Sequence, residues 1–169
     1  MLLVVAMMAA ADGAERSPVV GKAVSHASLD CEIVNAVDGD TIDIALPVKL
    51  ELPTAEGGKL PVKQIIVRVR LMAADDVGCW APETHRQSSI GDPVEREAEY
   101  ERGLAAKRHL QQYIGRKAKL VISTKGNRLI DYMTLERLLG VVTVDGKSLG
   151  ALQVQTKHAA TTKGGKLGK

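Results

Sequence analysis

The chain has 169 residues, 45% apolar and 25% charged, which suits one globular domain with tails and excludes wholesale disorder or a coiled coil. No apolar run reaches the roughly 18 residues of a spanning helix, two cysteines exclude a disulfide scaffold or a four-cysteine zinc site, and the lack of Phe beside one Trp and three Tyr speaks against a base-stacking sheet. The net charge of +3 is uneven: residues 1–115 hold 12 Lys/Arg against 17 Asp/Glu, whereas residues 116–169 hold 11 against 3, a basic surface suited to polyanions such as nucleic acid.

Residues 2–11 read LLVVAMMAAA. They match the apolar core of a secretory signal with Ala9 and Ala11 placed for cleavage, although no basic segment precedes them. Export to a secreted or periplasmic location is expected. A helix of that length spans roughly 15 Å, so no stable membrane association is expected. Residues 1–11 thus read as a signal peptide, 12–28 as a linker, 29–159 as the folded domain and 160–169 as a flexible basic tail.

Residues 31–37 alternate apolar and polar, and so do 41–50, where Ile42, Ile44 and Leu46 oppose Asp43. Asp38-Gly39 between them is a hairpin signature. Gly57-Gly58 marks a second turn. A long strand follows over 62–74, in which Val67, Val69 and Leu71 alternate with Arg68, Arg70 and Met72. Three strands joined by tight turns predict a β-meander, and five such strands can close a small barrel. Residues 75–92, rich in Gly and Pro, read as a loop. Asp92-Pro93 then caps and starts a helix running to Ile114, which Gly115 ends. Strands are predicted at 117–123 and 137–144, then a turn at Asp145-Gly146 and a short helix over 148–155.

Three features carry chemistry. VDGDTI at 37–42 sets Asp38 and Asp40 around a glycine at a turn, which can aim two carboxylates at one point, as hard cations such as Ca²⁺ require. In VRVRLMAADD, Arg68 and Arg70 leave one sheet face, and an arginine beside carboxylates can grip a phosphate. Arg137 opens the last long strand, five residues after Tyr132.

Taken together, VDGDT at 37–41, RLMAAD at 70–75, PET at 82–84, DYMTLER at 131–137 and VDG at 144–146 resemble the staphylococcal nuclease (thermonuclease) family. The resemblance spans about residues 31–159. It implies an α+β, mainly β fold: a five-stranded OB-fold barrel with two helices. It further implies a monomeric Ca²⁺-dependent nuclease that hydrolyses phosphodiester bonds of DNA and RNA. Carried over by position, Asp40 matches the first metal carboxylate, Arg70 and Arg137 the phosphate-gripping arginines, and Glu83 the general base. Asp38, Thr41 and Tyr132 fall on the substrate side.

The second metal carboxylate is open between two registers. Counting forward from Arg70 gives Asp75, with Asp76 able to lend an oxygen; counting back from Glu83 gives Trp80, which cannot bind Ca²⁺. The first register predicts an intact site. The second predicts a non-catalytic OB-fold nucleic-acid-binding protein with a degenerate metal site. Cys31 and Cys79 bridge only if the 75–92 loop doubles back, because seven extended residues place Cys31 roughly 23 Å from Asp38.

Overall fold

The computed structural model describes residues 28–74, 77–122, 133–134 and 137–163. The leader, the linker up to 27, Asp75, Asp76, Tyr132 and the tail from 164 lie outside the described residues.

Three long strands come first: β1 (Leu29–Ala36), β2 (Thr41–Pro53) and β3 (Lys59–Ala74). They pair antiparallel in sequence, forming the expected meander. Alternation dictates which face is buried: Ile42, Ile44 and Leu46 of β2 and Val69 and Leu71 of β3 enter the core. The next elements are β4 (Val77–Trp80), α1 (Pro93–Gln111), β5 (Lys117–Ile122), β6 (Met133–Thr134) and β7 (Arg137–Val144). The chain then passes through β8 (Lys147–Ser148), α2 (Leu149–Gln155) and β9 (Ala160–Lys163).

β1 pairs antiparallel with β5, β5 with β7, and β7 runs parallel to β3. Strands β1, β2, β3, β7 and β5 therefore close a ring of five. The class is α+β, mainly β, with two helices among the described residues, as expected. Inside the ring sits an aliphatic core that includes Ile33, Ile44, Leu71, Leu120 and Val142, with Leu110 of α1 and Leu149 of α2 packed on it.

Helix α1 begins where the sequence says it should. The Asp92 side chain accepts from the Val94 amide and Pro93 occupies the first turn, so two donors without an intrahelical partner are dealt with locally. Gly115, after the helix, takes a φ of 81°, a left-handed conformation natural to glycine.

α1 ends at Gln111 rather than Ile114, and the two-residue strands β6 and β8 add to the expected set; two further segments change their state. Residues 77–80, expected within a loop, form β4. Residues 160–163, expected as the start of a flexible tail, form β9, which pairs antiparallel with β4 from Val77↔Lys163 to Trp80↔Ala160. β4 also folds back antiparallel on the preceding β3, through Met72↔Gly78 and Ala74↔Val77. Each strand is four residues long and neither carries a clear alternation, so pairing partners rather than local pattern decide their conformation. Among the described residues no helix is long and apolar enough to cross a membrane.

Candidate functional site

The β1–β2 turn, the end of β3 and the start of β7 meet at one place. The turn is closed by the Val37 amide, which donates to the Thr41 carbonyl at 2.9 Å. Within it the Asp40 amide donates to Asp38 Oδ1 at 3.0 Å, the local side-chain bond that makes aspartate a turn residue. Cross-strand register places Thr41 opposite Arg70. The parallel pairing of β3 with β7 sets Val69 opposite Leu138, one residue beyond Arg137.

Asp40 is the centre of the site and is only 5% exposed. Its Oδ2 accepts from the Arg70 guanidinium at 3.2 Å and from the Ala81 amide at 3.1 Å. Its Oδ1 accepts from the Thr41 hydroxyl at 2.9 Å. Burial pushes the Asp40 carboxyl up to about 6; the Arg70 charge pulls it down, Asp38 pushes it up, and the Ala81 and Thr41 hydrogen bonds pull it down. Removing water disfavours the ionised form more than the guanidinium favours it.

Thr41 is fully buried. Its hydroxyl donates to Asp40 and accepts from Arg137 Nη1 at 3.2 Å, so this one oxygen ties the carboxylate to the second arginine. Thr41, expected among the substrate residues, lies beneath the surface and links the buried Asp40 to Arg137. Arg70 and Arg137 thus converge on the Asp40–Thr41 pair from neighbouring strands. Each guanidinium has five N–H groups in a fixed fork, and each of these bonds uses one. Such a pair suits an oxyanion with several equatorial oxygens.

Arg68, on the same face of β3, takes a different course. Its Nε and Nη2 donate to the two oxygens of Asp43, at 2.8 and 3.3 Å, and the Asn35 side chain donates to Asp43 as well. The Arg68 hydrogen bond, opposed by burial and joined by that of Asn35, holds the Asp43 carboxyl below its usual range.

Glu83 lies two residues beyond Ala81. Its side chain is 46% exposed and its carboxylate sits 3.8 Å from His85 Nδ1. Gly103 of α1 fixes the backbone of this loop: a Cβ there would stand 2.2 Å from the Glu83 carbonyl oxygen.

Trp80 and Cys79 alternate on β4. Cys79 turns into the core, 2% exposed. Burial pushes its thiol up to about 12, with Asp40 adding to the rise, which places it in electrostatic reach of the site. Trp80, half-buried, lines an open cleft of about 510 Å³ with Pro82, Arg102, Val154 and His158. Cys31 and Cys79 are both buried free thiols. The sequence, with its Gly and Pro over 75–92, carries no sign of β4 and so none of Cys79 or the Ala81 amide at the site.

For a hard cation the donor set is half legible. Asp40 is a buried carboxylate that Arg70 compensates only in part, and Asp38 adds a second acid beside it, so positive charge at this turn is favoured. Among the described residues no group of three His, Cys, Asp or Glu is placed to hold a metal. A Ca²⁺ site takes about six to eight oxygens, more than Asp38 and Asp40 supply; Asp75 and Asp76, expected as metal ligands, lie outside the described residues. No family model and no curated protein matches the chain.

Proposed function

We propose that the chain is a Ca²⁺-dependent nuclease of the thermonuclease type, an exported monomer whose ring of five strands is an OB-type barrel, hydrolysing DNA and RNA. The observation that carries this reading is the convergence of Arg70 and Arg137 on the buried Asp40–Thr41 pair. Two guanidiniums tethered side by side fit the non-bridging oxygens of a phosphodiester. They stabilise the charge that builds on those oxygens as water attacks, more in the transition state than in the ground state. Glu83 takes the proton of the attacking water as the new P–O bond forms, and the bond to the departing sugar oxygen breaks with that oxygen gaining a proton. Asp40 with Asp75 and Asp76 would hold Ca²⁺, which when bound supplies further positive charge at the phosphate. The basic balance of residues 116–169 draws nucleic acid to the surface without regard to sequence.

A second reading, a non-catalytic nucleic-acid-binding protein on the same fold, is favoured by one observation: among the described residues, Glu83 is half-exposed beside His85 and not bonded to Asp40 or an arginine. Digestion of single-stranded DNA and of RNA with Ca²⁺ and with EDTA separates the two. Cleavage that requires Ca²⁺ supports the nuclease; binding without cleavage in either condition supports the alternative.

A further inference from the structure

Gln153 is a polar side chain with no solvent exposure, on the inner face of α2 one turn after the buried Leu149. Its Nε2 donates to the carbonyl of Gly39 at 2.6 Å and to that of Ala106 in α1 at 2.9 Å. Two carbonyl acceptors require the amide nitrogen at that end, so the oxygen end faces His109 Nδ1, with which it bonds. An amide oxygen only accepts, so His109 carries its proton on Nδ1. His109 stacks on His158 with ring centroids 4.7 Å apart, which closes the network on its outer side.

Gly39 is the middle residue of the Asp38–Asp40 turn. It is wedged so tightly that a Cβ would stand 2.5 Å from the Ala106 Cβ and 2.6 Å from the Ala81 Cβ. Packing therefore sets how near the turn lies to α1 and to the Ala81 amide, whereas direction comes from a hydrogen bond, because packing contacts carry little orientation. The Gly39–Asp40 peptide is held at both ends: its N–H donates to Asp38 within the turn, and its carbonyl accepts from Gln153, the bond that anchors the turn to the helices.

We propose that Gln153 is a positioning residue for the carboxylate turn: by holding the Gly39 carbonyl it fixes the peptide that aims Asp40 at Ala81 and Arg70. The kinetic part of this inference rests on the nuclease reading; the structural part stands without it.

Gln153→Met keeps the length of the side chain and removes both donors. Amide hydrogen exchange in the full chain is the first readout, with Leu149→Ala, a core change on the same helix, as the reference for general destabilisation. In Gln153→Met, exchange at the Asp40 and Ala81 amides should quicken by about tenfold more than at Leu120 and Val142, as loss of a buried hydrogen bond confined to the turn requires. Leu149→Ala should raise all four by one common factor. A uniform rise in Gln153→Met would reduce Gln153 to a general staple and overturn the proposal. Should that variant not fold, exchange of the parent in low urea decides: the Gln153 side-chain amide and the Asp40 amide must open with one urea dependence, and separate openings overturn the inference. On single-stranded DNA with Ca²⁺, Gln153→Met should lower kcat, because Asp40 and the Arg70 guanidinium it tethers lose their fixed geometry at the reacting centre. An equal kcat would remove the catalytic consequence. If the parent itself cleaves nothing, the nuclease reading fails while the exchange measurement still decides the role of Gln153.

Discussion

Gly103→Ala sets helix propensity against packing at the point where α1 supports the Glu83 loop. An alanine in a helix interior is favoured over glycine by about 0.8–1.0 kcal/mol, so an unconstrained position would gain stability. Here the new Cβ would stand 2.2 Å from the Glu83 carbonyl oxygen, 2.7 Å from its carbon and 2.8 Å from the Pro82 carbonyl oxygen. All three are backbone atoms, and no flexible side chain can swing aside. The loop must retreat by roughly 1 Å, and overpacking of this kind costs about 1–3 kcal/mol. The difference is a net loss of about 1 kcal/mol. With a urea slope of about 1–3 kcal/mol/M for a small protein, the unfolding midpoint followed by circular dichroism should fall by roughly 0.5 M. A displacement of about 1 Å in Glu83, the group proposed to take the proton of the attacking water, can cost on the order of 10²-fold in rate, so turnover should fall far more than stability does. A midpoint that rises would show that the loop does not rest on Gly103. A lower midpoint with unchanged turnover would remove Glu83 from the chemistry.

Arg137→Ala and Arg70→Ala should each lower turnover by about 10²–10³, the usual cost of one donor to a developing oxyanion, and either variant cleaving at the parent rate would take that arginine out of the mechanism. Arg70→Ala also leaves Asp40 buried without its cation, so the Asp40 carboxyl should titrate higher than in the parent, read from its carbon resonance by NMR. Asp43 is held below its usual range, so its ion pair with Arg68 contributes above the unfolded value near 4 and is lost as acid protonates it. Asp43→Asn should therefore cost about 0.5–1 kcal/mol at neutral pH, a figure reduced because Arg68 is half in solvent, and the gap from the parent should close below about pH 4; a gap that persists there would mean the loss is not electrostatic. Asp40 behaves in the opposite sense: its folded value of about 6 lies above the unfolded one, so folding becomes less favourable as pH rises from about 4 to 6 and the penalty is full above that. Ca²⁺ requires the ionised carboxylate, so the rise in thermal midpoint on adding Ca²⁺ should be larger at pH 7.5 than at pH 5, and an equal rise at both would place the cation away from Asp40.

The strands that could be read from sequence are those whose burial is one-sided. Val67, Val69 and Leu71 alternate with exposed or half-buried partners, and Asp38-Gly39 supplies the turn chemistry, so the meander and the start of its site are written locally. Helix α1 has Asp92-Pro93 at one end and Gly115 beyond the other, and local signals place it. β4 folds back on the end of β3 and is completed by β9 from eighty or more residues away, which no local pattern announces. The same reason hid Cys79 and the Ala81 amide. Asp40 and the two arginines are singled out by the resemblance of VDGDT, RLMAAD and DYMTLER to the thermonuclease motifs. That Thr41 would be the buried tether between them was not legible, because a threonine next to an aspartate carries no sign of which strand will cover it. Gln153 left a fainter mark: a glutamine four residues after Leu149 shares the buried face of a short helix, and a polar side chain on such a face needs partners.

The central claim is that Arg70 and Arg137 form a phosphate grip that works on phosphodiesters. Its most direct test is the cleavage rate of a labelled single-stranded oligonucleotide by the purified full chain in Ca²⁺, set beside the doubly substituted Arg70→Ala, Arg137→Ala protein prepared identically. The account predicts Ca²⁺-dependent cleavage by the parent that EDTA abolishes, and none above background from the folded double variant. Cleavage retained by the double variant, or a parent that binds the oligonucleotide and leaves it intact, would contradict it.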